Sequence, residues 1–152
     1  MAAREQLKHA PCPVARALDA VGDAWSLLIV RDAYDGKRRF GEFLDSLGIA
    51  RNILSGRLRK LVEAGILEEA AASDGSAYGE YRLTRKGMDL FPVVVGLRQW
   101  GEKHLYGRQE RHSLLIDEAS GKPIPRMRPA AADGRPLTPA NTRVRKLPDG
   151  RA

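Results

Sequence analysis

Apolar residues recur at spacings of three and four from Val14 onward. Val14, Ala17, Leu18, Val21, Trp25, Leu28 and Ile29 trace the period of an amphipathic helix running to about residue 34. Cys12-Pro13 opens this pattern, Gly22-Asp23 predicts its division into two helices, and Asp35-Gly36 marks a turn. Phe40, Phe43, Leu44 and Leu47 then share one face of a short helix that Gly48 ends. In residues 50–64, Leu54, Leu58 and Leu61 form a second apolar ladder, ended by Gly65. Two short helices joined by a tight glycine-containing turn make a helix-turn-helix. The stretches "ILEEAA" and "EYRLT" read as strands, and Asp74-Gly75 between them is a hairpin signal. Thr84 caps a single long helix over 85–106, with Leu90, Val94, Leu97, Trp100, His104 and Leu105 on its apolar face and Gly107 at its close. The fold class expected is mainly α with a small β-wing (α+β), a winged helix-turn-helix.

The pattern changes after about residue 108. Six of the nine prolines (123, 125, 129, 136, 139 and 148) lie in residues 109–152. Two similar pieces occur there, Gly121-Lys122-Pro123-Ile124 and Gly134-Arg135-Pro136-Leu137. We therefore expect a winged-helix and dimerisation domain over 1–107, then a Pro-rich extension over 108–152 that forms a small β-hairpin with a disordered end.

Charge sharpens the picture. The chain of 152 residues has a formal net charge of +7 and a pI near 9.9, a balance that favours an anionic partner. Residues 37–60 hold seven cations against two acids, and residues 109–152 hold nine against five, so the remainder is slightly acidic. With Leu54 placed at zero and about 100° per residue, Leu58 and Leu61 fall within about 40° of it and face a core. Asn52, Gly56, Arg59 and Glu63 fall opposite, with Ser55 and Lys60 on the flanks. Asn can bond adenine, Arg can fork onto guanine and Ser can reach base or phosphate, while Gly56 lets the helix approach a groove wall. Against this stands an ordinary solvated helix face. Pairing with Glu63 would explain Arg59 and Lys60 but would leave Arg51, Asn52 and Arg57 without acids in this helix.

Other chemistries are poorly served. No apolar run approaches the ~18 residues of a membrane span, and the first residues lack a signal-peptide apolar segment, so a cytoplasmic protein is expected. Cys12 is the single cysteine, and His9, His104 and His112 are scattered. No metal site and no cofactor are expected. Neither a nucleophile–base pair nor a phosphate loop is present, so the chain does not read as an enzyme.

Three stretches resemble the HxlR-type winged helix-turn-helix regulators of bacteria: "CPVARALDAVGDAWSLLIVRDAYDG", "RRFGEFLDSLGIARNILSGRLRKLVEAGIL" and "YRLTRKGMDL". The resemblance runs from about Cys12 to Trp100. It implies a dimeric transcription regulator whose first and last helices build the dimer, here the N-terminal helix and the 85–106 helix. By match of position, Asn52, Ser55, Arg57 and Arg59 take the recognition-helix roles, and Arg39 would touch phosphate ahead of Phe40. Arg51 and Lys60 complete the basic face. The chain departs from the family at Glu68-Glu69, where the first wing strand usually begins with a basic residue. The tip "SDGSAYG" also lacks cations, which leaves Arg82 as the basic candidate of the wing. Some members use a cysteine near Cys12 as a thiol sensor. The bland alternative for Cys12 is a small apolar residue at the dimer seam.

The expectation is thus a homodimeric regulator, a repressor rather than an activator, that binds a specific double-stranded DNA operator through the helix at 50–64. A small-molecule or electrophile effector, bound between the first and last helices or at Cys12, is the further partner considered. The acidic wing keeps open a second class, a winged helix used for protein contact.

Overall fold

The computed structural model describes residues 3–146 and 148. In chain order its elements are α1 (Ala3–Lys8), α2 (Pro13–Val21), α3 (Ala24–Tyr34), α4 (Phe40–Leu47), α5 (Arg51–Glu63), β1 (Leu67–Ala70), β2 (Glu80–Leu83), α6 (Arg85–Met88), α7 (Phe91–His104) and a 3-10 turn at Pro139–Asn141. It is a winged helix-turn-helix, mainly α with a two-stranded wing. The backbone divides into two compact units, Met1–Val94 and Val95–Ala152, so the division falls inside α7. The composition, by contrast, changes at about residue 108.

The break between α2 and α3 lies where Gly22-Asp23 predicts it. Gly22 ends α2, and the Asp23 carboxylate accepts from the backbone N–H of Ser26 at 2.9 Å, capping α3. Gly48 closes α4 in the left-handed region (φ 62°), which lets the chain turn sharply into α5. The three ladder leucines of α5, Leu54, Leu58 and Leu61, are fully buried, and Ile29, Val30, Phe43, Ile66 and Leu67 join them in one cluster. Burial of one such side chain is worth ~1.5–3 kcal/mol, so this cluster fixes the rotation of α5 about its axis.

β1 and β2 pair antiparallel, with Leu67 opposite Leu83 and Ala70 opposite Glu80. Thr84 caps a helix as expected: its Oγ1 accepts from Gly87 N at 3.1 Å and donates to Gly65 O at 2.5 Å. Gly87 sits so close beneath the wing that an added Cβ would lie 2.3 Å from the Ile66 carbonyl oxygen. Its own carbonyl accepts from the Tyr34 hydroxyl at 2.7 Å. Burial, with the charge of Asp89, pushes that hydroxyl up to about 12.

One expectation is corrected. The helix expected over 85–106 is two helices, α6 and α7, interrupted at Asp89-Leu90. Pro92 is the cause: it has no N–H to give to the Met88 carbonyl, and it sits in the first turn of α7, where that loss is tolerated. The extension carries two closed turns, each with one isolated antiparallel bridge, Ile116 with Pro123 and Ala130 with Pro136. Each Gly-Lys/Arg-Pro piece closes its turn with glycine at positive φ, Gly121 at 67° and Gly134 at 84°. The prolines that follow lack the N–H needed to extend a ladder. The frayed end assigned to the extension falls largely outside the described residues.

Within Val95–Ala152, polar side chains of α7 hold the extension. Gln99 donates to Pro125 O at 3.0 Å and accepts from Met127 N at 2.8 Å. Arg98 donates to the Ser113 carbonyl at 2.9 Å.

Candidate nucleic-acid interface

Three pieces of the first unit frame this surface: the start of α4, the outer face of α5 and the wing. The Glu42 carboxylate accepts from the backbone N–H groups of Arg38 (2.8 Å) and Arg39 (2.9 Å), which fixes the entry to α4. Those two hydrogen bonds hold Glu42 below its ordinary carboxylate value. Tyr81 N donates to Arg38 O at 2.7 Å and so ties β2 to the same point.

On α5 the outward pole carries Asn52, Ser55, Gly56 and Arg59, all exposed. Among the described residues none of their side chains makes a hydrogen bond or ion pair. An added Cβ at Gly56 would meet nothing within 4 Å, so this side of the helix is open. Arg51 lies over the Phe40 ring, 5.9 Å from its centroid, at the junction of α4 and α5.

The other cations of the expected face are engaged. Arg57 and Lys60 each lie 3.2 Å from the carboxylate of Asp23, the cap of α3. The helix-local partner considered for Lys60, Glu63, is not the one it uses. Burial alone would raise the Asp23 pKa. Hydrogen bonds from Ser26, with the hydrogen bond and charge of Lys60, outweigh that and leave it below the ordinary value. Arg57 and Lys60 therefore lean toward α3, away from the outward pole. Arg39 is ion-paired with Asp74 at the wing tip. Hydrogen bonding from Ser76 and Arg39 holds Asp74 below its usual range.

The wing has an acidic hub that sequence reasoning missed. Glu80 is only 4% exposed. Its carboxylate accepts from Ser73 N (3.1 Å) and Ser73 Oγ (2.9 Å), and it lies 3.6 Å from Arg82 and 4.0 Å from Arg38. The hydrogen bonds from Ser73 come first in lowering its pKa. Arg82, the expected basic residue of the wing, therefore serves the wing's own base.

A cleft of about 800 Å³ opens between α4 and the wing, with Phe40, Arg51, Tyr78 and Tyr81 in its walls. None of its lining residues comes from α2, α3 or α7, the region in which an effector was expected. Cys12 is exposed at the start of α2. Among the described residues no cluster of three or more His, Cys, Asp or Glu side chains could hold a metal ion. No described helix is long and apolar enough to cross a membrane.

A helix seated on three buried leucines, its opposite face polar and open beside a β-wing, defines the class: a helix-turn-helix protein of the winged type. The family follows from comparison with known proteins. The family model described as HxlR-like helix-turn-helix matches residues 20–109, more than half of the chain, and the chain belongs to that family. An HTH-type transcriptional regulator of Mycobacterium tuberculosis, itself uncharacterised, is 50% identical over 92 residues, 60% of this chain and 58% of that protein. The chain thus spans less than two thirds of this relative's length. A Synechocystis HTH-type transcriptional regulator is 32% identical over 108 residues, 70% of this chain and 80% of its own length. Among solved structures, PA1607, assigned as a transcription factor, superposes with a TM-score of 0.88 at 53% identity, covering 92% of this chain and 98% of its own. The redox regulator HypR in its oxidised form gives a TM-score of 0.56 at 34% identity over 61% of this chain and 97% of its own. The matched proteins are named as transcription regulators, not enzymes.

Proposed function

We propose that the protein is a homodimeric transcription regulator that binds a specific double-stranded operator through α5 and acts as a repressor. The observation that carries this reading is the outward pole of α5, where Asn52, Ser55 and Arg59 stand exposed around an open Gly56, with no acidic partner among the described residues. A recognition helix needs side chains of this kind toward its N-terminal half. Asn52 and Arg59 are the base-reading residues in this reading, Ser55 serves base or phosphate, and Arg51 and Arg39 meet phosphates flanking the groove. Arg39 would exchange Asp74 for a phosphate oxygen. Arg57, Lys60 and Arg82 act mainly by holding α5 and the wing in place. Repression follows from bulk, since a compact dimer seated on DNA blocks polymerase without further contacts.

Dimerisation is supported by apolar side chains left in water. Val14 and Leu18 on α2 are 66% and 56% exposed, and Leu97 and Trp100 on α7 are 53% and 57% exposed. Covering such faces with a second copy removes that apolar area from water. Cys12 is the candidate thiol sensor, supported by its exposure and by the likeness to a redox regulator. Cys12→Ser should keep DNA affinity in reducing buffer and lose any response to oxidant, and a wild type indifferent to oxidant would leave Cys12 a packing residue.

Selection of bound duplexes from a random pool tests the reading as a whole. One enriched, two-fold symmetric motif is expected. Absence of enrichment, together with binding that ignores salt, would favour the protein-contact module instead.

A further inference from the structure

The second unit is basic, and among the described residues most of its cations form no ion pair. Three of its acids shape its turns. Glu110 accepts from Gly107 N at 2.9 Å, Asp117 from Ala119 N at 3.1 Å and Ser120 Oγ at 2.7 Å, and Asp133 from Arg135 N at 3.0 Å. Among the described residues Arg98 pairs with Glu102 at 3.5 Å and Arg135 with Asp133 at 3.3 Å. Arg143, Arg145 and Lys146 are exposed, and among the described residues they make no hydrogen bond or ion pair. Val144 between them is 86% exposed, so the segment does not pack onto a core through its one apolar side chain. It follows the 3-10 turn at Pro139–Asn141, which ends at Thr142 in extended backbone (φ −126°, ψ 154°).

We infer that residues 142–146 form a second duplex contact, an arm whose Arg143, Arg145 and Lys146 bind backbone phosphates independently of base sequence. This rests on the DNA-binding reading above and adds to it a surface outside the helix-turn-helix. The occupant follows from charge: three cations within four residues, with no carboxylate among them, complement a polyanion. Reach agrees, because five residues of extended chain span about 17 Å. At ~3.4 Å of helix axis per phosphate on one strand, that is about five phosphates. Side chains that carry no hydrogen-bonded register suit phosphate, which needs charge more than orientation. A contact of this kind strengthens binding to every duplex and leaves the preference between operators unchanged.

The test compares full-length wild type with a triple variant, Arg143→Ala with Arg145→Ala and Lys146→Ala, on operator and scrambled duplexes between 50 and 200 mM salt. Loss of three phosphate contacts lowers the salt slope by about 2.7, so wild-type affinity should fall roughly fortyfold more than the variant's across that range. The loss should be equal on both duplexes. A charge-keeping variant, R143K with R145K and K146R, should restore the slope. An unchanged slope in a variant that still binds overturns the arm and leaves the DNA-binding reading standing. A wild type that binds no duplex overturns both. A slope lost together with the oligomeric state in light scattering also overturns the arm, because the cations would then serve subunit assembly.

Discussion

Removing the carboxylate of Asp23 should destabilise the domain more than its surface position suggests. Asp23 caps α3, satisfies the buried hydroxyl of Ser26 at 2.6 Å, and bridges to Arg57 and Lys60 of α5. Losing a cap costs ~1 kcal/mol. Leaving the fully buried Ser26 hydroxyl without its acceptor costs a further ~1–3 kcal/mol. The two partly exposed ion pairs add little, together ~0–1 kcal/mol. Asp23→Ala should therefore lose about 2–5 kcal/mol, whereas Asp23→Asn, which keeps a capping oxygen, should lose about 1 kcal/mol. Urea unfolding followed by the fluorescence of the neighbouring, half-buried Trp25 reads both as shifts in midpoint at constant slope. If Asn proves as damaging as Ala, charge and not capping dominates and the reasoning is refuted. The same conclusion follows if both variants lie within about 0.5 kcal/mol of wild type.

Other consequences can be checked in parallel. Gly56→Ala should stabilise α5 by about 0.5–1 kcal/mol yet weaken operator binding, since the new methyl group occupies the face turned to the groove; unchanged binding would place Gly56 outside the contact. Asp23, Glu42, Asp74 and Glu80 all have lowered pKa values in the folded protein. The unfolded chain therefore binds more protons in acid. The stability these carboxylates contribute is complete above their ordinary values near 4 and is lost as pH falls through the lower folded values; a denaturation midpoint that stays flat from pH 5 to pH 3 would contradict this. Gln99→Leu should release the 125–127 segment while leaving the first unit intact, visible as roughly fivefold faster amide exchange at Met127 for about 1 kcal/mol of lost hydrogen bonding. Unaltered exchange would show that Gln99 is not the clasp.

The features legible in the sequence are those governed by local periodicity and turn chemistry. The Leu54, Leu58 and Leu61 ladder gives the rotation of α5, Asp74-Gly75 the wing, and Thr84 the cap of α6. The break after Met88 was signalled by Pro92, but an apolar period that continued across it masked the signal. Gly22-Asp23 marked the break between α2 and α3, but not the capping role of Asp23. Its partners Arg57 and Lys60 lie on another helix, and only the packing of α3 against α5 unites them. Arg39 with Asp74, and Arg82 with Glu80, were hidden for the same reason: short-range spacing rules do not see ion pairs made by tertiary contact. Charge counting over residues 37–60 therefore overcounted the cations open to a ligand. Glu80 looked like an ordinary strand residue because no local pattern separates a carboxylate that staples a hairpin from one that faces water.

The central claim is that the outward pole of α5 reads DNA bases while its leaning cations hold the helix. The most direct measurement is duplex affinity of Asn52→Ala, Arg59→Ala and Arg57→Ala on the selected operator and on a scrambled sequence, each at two salt concentrations. The account predicts that Asn52→Ala and Arg59→Ala each lose ~1–3 kcal/mol on the operator, relax preference at particular base positions and change little on the scrambled duplex. Arg57→Ala should weaken both duplexes alike by a smaller amount and should also lower the unfolding midpoint. Loss from Arg57→Ala confined to the operator, with none from Asn52→Ala or Arg59→Ala, would contradict the account, because the base-reading face would then lie on the side of α5 that leans on Asp23.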